Sequence, residues 1–84
     1  MRHFASSRFW ALYEALPADV RSVADRNYTV LKTDPHHPSL HFKRIGKMWS
    51  VRVGIHHRAL GHDVEGGVQW FWIGSHSDYD KLIG

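Results

Sequence analysis

The spacing of apolar residues changes period once along the chain, and the change divides it into a helical third and a stranded remainder. Phe9, Leu12, Tyr13 and Leu16 recur at three- and four-residue intervals and so share one helical face, with Ser6 or Ser7 placed to cap its start. Pro17 ends that helix and suits the first turn of a second, whose positive end lies near Asp19. Val20, Val23, Ala24, Asn27, Tyr28 and Leu31 carry the second helix to about Thr33. Asp34-Pro35 stops it, because the residue before a proline is pushed out of the helical region.

Beyond the turn at residues 36–39 the pattern alternates. A strand is expected over residues 40–45, with Gly46-Lys47 as a tight connection to the next. Residues 48–55 place Trp49, Val51, Val53 and Ile55 on one face and Ser50, Arg52 and Gly54 on the other. Residues 58–64 continue as a strand, and Glu65-Gly66-Gly67 supplies a hairpin loop. The run VQWFWI at residues 68–73 is apolar on nearly both faces, which places it inside a sheet. Residues 1–7 suit a brief edge strand, and Ser75 or Ser77 can cap a last helical turn through Leu82. The expectation is a single α+β domain spanning 1–84, with two N-terminal helices packed on one face of a small antiparallel β-sheet.

Composition limits how such a fold can hold together. The chain has 84 residues and no cysteine, so neither disulfides nor thiolate metal sites can staple it. Four Trp, four Phe and three Tyr must supply the core. No apolar run has the length of a signal peptide or of a bilayer span, and a cytoplasmic, membrane-free protein is expected.

Charge adds a direction. Between Asp34 and Asp63 there is no acidic residue, yet Lys43, Arg44, Lys47, Arg52, Arg58 and six of the eight histidines lie there. Outside that stretch six Lys/Arg face eight Asp/Glu. A local concentration of cations on an alternating strand reads as an anion-facing surface, nucleic acid being the usual polyanion. Chance clustering on a solvated strand face fits the same counts.

Arg52 emerges on the polar face, and unbroken pairing brings His56 and Arg58 to the same side. Lys43 shares the parity of His41, whereas Arg44 shares that of Leu40 and Phe42; Lys47 reaches out from the turn. Guanidinium groups suit phosphate, to which they donate paired hydrogen bonds. Proton transfer needs another group, and His76 within IGSHSDYD is the best candidate. Tyr79 could stack on a base or share the proton transfer. Together these four residues suit metal-independent RNA cleavage, in which a 2′-hydroxyl attacks its neighbouring phosphate. The competing assignment makes His76 a sheet-end cap and Tyr79 a core residue. Adjacent histidines on a strand face opposite ways and no HExxH is present, so neither a metal nor another cofactor is expected.

The order of a helix hairpin, a strand ending at a Gly-Lys turn, WSVRVGIHHRALG and then WFWIGSHSDY resembles the RelE/ParE superfamily of toxins from type II toxin–antitoxin pairs. The resemblance covers nearly the whole chain and is strongest from residue 40 to residue 83. It implies a curved antiparallel sheet under two helices, and a cognate antitoxin encoded nearby. In the RelE/YafQ/HigB-like branch it further implies a metal-independent endoribonuclease that cuts mRNA on the ribosome. Carried over, Arg52 matches a basic position of the third strand and Arg58 the arginine that contacts the scissile phosphate. His76 matches a late Arg/His, within GSHSD, and Tyr79 approximates a late aromatic. Lys43, Arg44, Lys47 and His56 would add RNA-binding charge. Ser50 departs from the pattern, standing where RelE proper carries lysine. ParE-like members share the fold and inhibit DNA gyrase without these catalytic residues, which leaves gyrase inhibition, or binding without catalysis, as the second expectation.

Overall fold

The computed structural model of the chain describes residues 2–84. Among these run β1 (Arg2–Ala5), α1 (Ser7–Glu14), α2 (Ala18–Thr33), a 3-10 turn (Pro38–Leu40), β2 (Lys43–Ile45), β3 (Met48–Val53), β4 (His57–Val64), β5 (Gly67–Ser75) and α3 (His76–Ile83). Ser6 caps α1, its Oγ accepting the Phe9 amide at 3.1 Å. Arg21 reaches back from α2 and donates to the Leu16 carbonyl at 2.8 Å, satisfying an acceptor left free past the end of α1. Pro17 serves as the N-cap of α2, one position before the first turn expected for it. At the far end Asp34 closes α2, as the following proline requires.

The strands form one sheet in the order β1-β5-β4-β3-β2. Four are antiparallel neighbours, while β1 joins the edge parallel to β5, with Arg2 opposite Gly67 and Ala5 opposite Trp70. A Cβ at position 67 would run into the Arg2 backbone, so glycine there lets the edge strand close on the sheet. β5 thus lies in the interior, as its apolar run implies. Its sequence is apolar on both sides for a local reason. Leu60 pairs with Trp72 and Gly61 with Trp70, which leaves Phe71 as a bulge. Simple alternation would put Trp70 and Trp72 on one face; the extra residue sends them to opposite faces.

Two apolar clusters result. Leu31, Leu40, Val51, Val53, Ala59, Val68, Trp70 and Ile73 pack beneath α1 and α2, joined by Phe9, Leu12, Tyr13 and Leu16. On the other face Leu60, Trp72 and Tyr79 form a smaller cluster with Ile45, Met48 and Phe71. Burying each large side chain of this kind contributes about 1.5–3 kcal/mol.

Three expectations need correction. The strand expected over residues 40–45 is only Lys43–Ile45. The His37 ring accepts the Ser39 amide at 3.2 Å and starts the 3-10 turn, which sinks Leu40 into the core, and His41 follows with φ 45°. β3 stops at Val53, not Ile55, because Gly54 takes φ 63° and opens a turn; Ile55 is left 69% exposed instead of joining the apolar face. The last helical element is a full eight-residue helix that covers part of the face expected to be open.

Candidate functional site

The three-residue turn between β3 and β4 sets a register in which Arg52 and Arg58 are direct cross-strand partners, on the face away from α1 and α2. Like charges in that position repel, and the two side chains part. Arg52 turns toward the turn, where Nε donates to the Gly54 carbonyl at 2.9 Å and Nη1 lies 3.4 Å from His41 Nε2. Its own carbonyl accepts from Asn27 Nδ2 at 3.1 Å, which ties α2 to this part of β3. Arg58 turns inward and is only 6% exposed. Its Nη1 lies 3.4 Å from the buried Ser50 Oγ, and its guanidinium carbon sits 5.2 Å from the centre of the Tyr79 ring. Its Nε has no partner, and among the described residues the ion pairs are Arg44–Asp63 and His76–Asp80, so no carboxylate neutralises Arg58. A cation withdrawn from water without an anion is costly to the fold.

Arg58 pairs across the sheet with Gly74, where a Cβ would fall 2.6 Å from the Trp72 ring. Glycine there therefore leaves room for the Trp72 ring. Immediately after, Ser75 Oγ accepts the Asp78 amide at 3.1 Å and starts α3. The His76 amide donates to the His56 carbonyl at 2.7 Å, which pins the start of α3 to the β3–β4 turn. Tyr79 points down onto Leu60 and Trp72, 3% exposed, and its hydroxyl has no partner. The His76 and Tyr79 rings are 5.6 Å apart, and His76 Nδ1 lies 3.2 Å from Asp80 Oδ2. With its proton on Nδ1, the imidazole donates to the carboxylate and presents Nε2 as an acceptor.

The four residues expected to carry chemistry are thus contiguous: Arg52 beside Arg58, Arg58 under Tyr79, Tyr79 against His76. Tyr79 fills the core, as the competing assignment for it has it. Asp80 escaped the sequence reading, although its four-residue spacing from His76 on a helix was the available signal. His41 also escaped as a neighbour of Arg52, because its left-handed backbone breaks the alternation that would have located it.

The auxiliary cations divide. Lys43 pairs with Ser50, so it shares the face of Arg52 and Arg58 and is exposed. His56 is exposed in the turn beside His76. Arg44 lies on the opposite face: it pairs with Trp49, stacks on the Trp49 indole at 4.2 Å and bridges to Asp63 at 2.7 Å. Asp63 also accepts from Trp49 Nε1 at 2.9 Å, and these two hydrogen bonds, Arg44's first, hold its carboxyl below the usual carboxylate value. Lys47 occupies the turn at the other end of β3, about 15 Å along the strand from Arg52. Among the described residues no three His, Asp or Glu side chains gather into a group able to hold a metal ion.

A second feature lies on the helical side, where a cavity of about 210 Å³ is lined by His3, Phe4, Trp10, Tyr28, Val53 and other largely apolar residues. There His3 Nδ1 accepts from Trp70 Nε1 at 3.2 Å. Burial, with the charge of Lys32 adding to it, pushes the His3 imidazole below its ordinary value.

A sequence model of the family described as ParE-like toxin domain matches residues 18–81, a span that holds Arg52, Arg58, His76 and Tyr79 and leaves out β1 and α1. No curated protein and no solved structure was found to match the chain.

Proposed function

The chain belongs to the ParE-like toxin domain family, a membership that implies a cognate antitoxin, and we propose that it acts as a toxin by cutting messenger RNA on the ribosome without a metal. The contiguity of Arg52, Arg58, Tyr79 and His76 carries this reading. In it, His76 Nε2 takes the proton of a ribose 2′-hydroxyl while Asp80 steadies the imidazolium. The hydroxyl oxygen attacks the adjacent phosphorus, and the 5′-oxygen leaves with a proton from Tyr79. Arg52 and Arg58 hold the additional negative charge of the pentavalent state. The exposed Lys43 and His56 extend the cationic face along the RNA backbone. The setting is the bacterial cytoplasm; in the structure, no helix among the described residues is long and apolar enough to cross a membrane.

Purified protein added to programmed ribosomes is the test. Cleaved message is expected, with His76→Ala lowering the rate about 10²–10⁴-fold. Intact message at high protein concentration would remove the reading.

One observation favours a second reading. Arg58 and Tyr79 are both buried, which suits a domain that binds a target without reacting. A gyrase inhibitor of this kind would block DNA supercoiling and leave message intact.

A further inference from the structure

α3 lies on the sheet by slender means. Tyr79 is its one buried residue, and Leu82, at 55%, and Ile83, at 37%, remain exposed. Beneath it two polar groups, each more than nine-tenths buried, lack partners: Arg58 at Nε and Tyr79 at its hydroxyl. The guanidinium carbon sits 5.2 Å from the ring centre, so beyond the long 3.4 Å contact with Ser50 Oγ the ring's π cloud is what faces the cation. That contact offsets only part of the cost of desolvating an unpaired cation. The remainder is relieved when an anion reaches Arg58, and Tyr79 stands in its way.

We propose that α3 is a displaceable cover over an anion receptor centred on Arg58, and that a phosphodiester takes the place of Tyr79 when the cover lifts. The choice of phosphodiester rests on the RNA-cleaving reading. Guanidinium nitrogens freed on one edge suit two phosphate oxygens at once. Arg52 is already the cross-strand neighbour, with Lys43 exposed opposite Ser50, two residues along β3 from Arg52. The Ser75 cap and the bond from the His76 amide to the His56 carbonyl form the hinge end, so the cover opens from the Leu82–Ile83 end, whose side chains are exposed. Removing Tyr79 from the sheet also restores water to its hydroxyl. Both orphaned groups therefore gain by opening, and the apolar contacts of one ring hold the closed form. Apparent phosphate affinity is then set by the fraction of molecules that are open.

The full chain can be followed by amide hydrogen exchange and NMR during titration with inorganic phosphate. Phosphate is expected to speed exchange across α3 and to shift the Arg58 Nε–H resonance. Tyr79→Phe deletes the orphaned hydroxyl, keeps the ring contacts and is expected to fold. It should slow exchange in α3 and weaken phosphate binding about tenfold. Tyr79→Ala should do the reverse on both counts. Arg58→Gln should abolish binding and slow α3 exchange. Phosphate that saturates Arg58 while α3 exchange stays unchanged overturns the cover, as do Phe and Ala variants that move phosphate affinity in one direction. Acetate that competes equally with phosphate overturns the choice of ligand. Correct phosphate responses with intact message on ribosomes would sink the cleavage reading and keep the cover. Cleavage with a fixed α3 would do the opposite.

Discussion

The indole N–H of Trp70 donates to Nδ1 of His3 across the parallel β1–β5 edge, with 3.2 Å between the nitrogens. Only a neutral imidazole can accept that bond, and burial already lowers the His3 value from 6.5 in the folded state. Between the folded and unfolded values the unfolded chain binds more protons, so stability rises with pH there. The contribution is complete above pH 6.5 and is lost as pH falls from that value through the lowered one. Denaturant unfolding at pH 7.5, 6.5 and 5.5 should show this decline, and His3→Asn should flatten it.

Asp80 holds His76 from one turn along α3, with both side chains about half exposed. Asp80→Asn keeps the shape and removes the charge that steadies an imidazolium. Cleavage of message on ribosomes should fall about tenfold, with far-UV circular dichroism unchanged. A rate equal to the parent's would show that Asp80 does not orient the base.

Arg52 and Arg44 lie on opposite faces of the sheet, which separates their roles. Arg52→Ala should weaken binding of a non-cleavable oligoribonucleotide about tenfold. Arg44→Ala should leave that binding unchanged and loosen β2, read as faster amide exchange over Lys43–Ile45. Equal loss from both variants would mean that RNA contacts both faces.

Asp63 holds the edge strand through Arg44 and the Trp49 indole. Its folded value is depressed, so the contribution it makes is present above the unfolded carboxylate value and disappears as pH falls through the lowered one. Asp63→Asn should therefore reproduce at neutral pH the faster β2 exchange that the parent shows only in acid.

Gly74→Ala places a methyl group 2.6 Å from the Trp72 ring, directly across from Arg58. The ring must move, at a cost of about 1–3 kcal/mol. Urea unfolding measures that loss, and an unchanged midpoint would mean that Trp72 has room to shift.

Much of this arrangement is legible in the sequence, and the remainder escapes for local reasons. Three-four spacing locates both helices, and strict alternation from Met48 to Val53 locates β3 and the face of Arg52. Arg58 joins that face because the hairpin register returns it opposite Arg52. Alternation cannot show that Arg58 is buried, since burial depends on a helix that arrives from eighteen or more residues later. Nor does α3 announce its docking: a single buried tyrosine makes no periodic stripe. The bulge at Phe71 is invisible in a run where every candidate residue is apolar, yet it decides which tryptophan faces which core. At His41, a non-glycine residue with positive φ defeats any parity argument across the turn.

The parallel pairing of Arg2–Ala5 with the segment from Gly67 to Trp70 also has a temporal side. β1 waits for its neighbour, because more than sixty residues must be made after it before Gly67 exists. Loop closure over that span is slow compared with forming the α1–α2 hairpin. A nascent chain arrested before β5 has a loose N-terminal strand, an exposed β4 edge and neither Tyr79 nor His76. The face shared by Arg52, Arg58, Tyr79 and His76 is thus complete only once α3 has been made, so a chain still lacking α3 presents the two arginines without the helix that covers them.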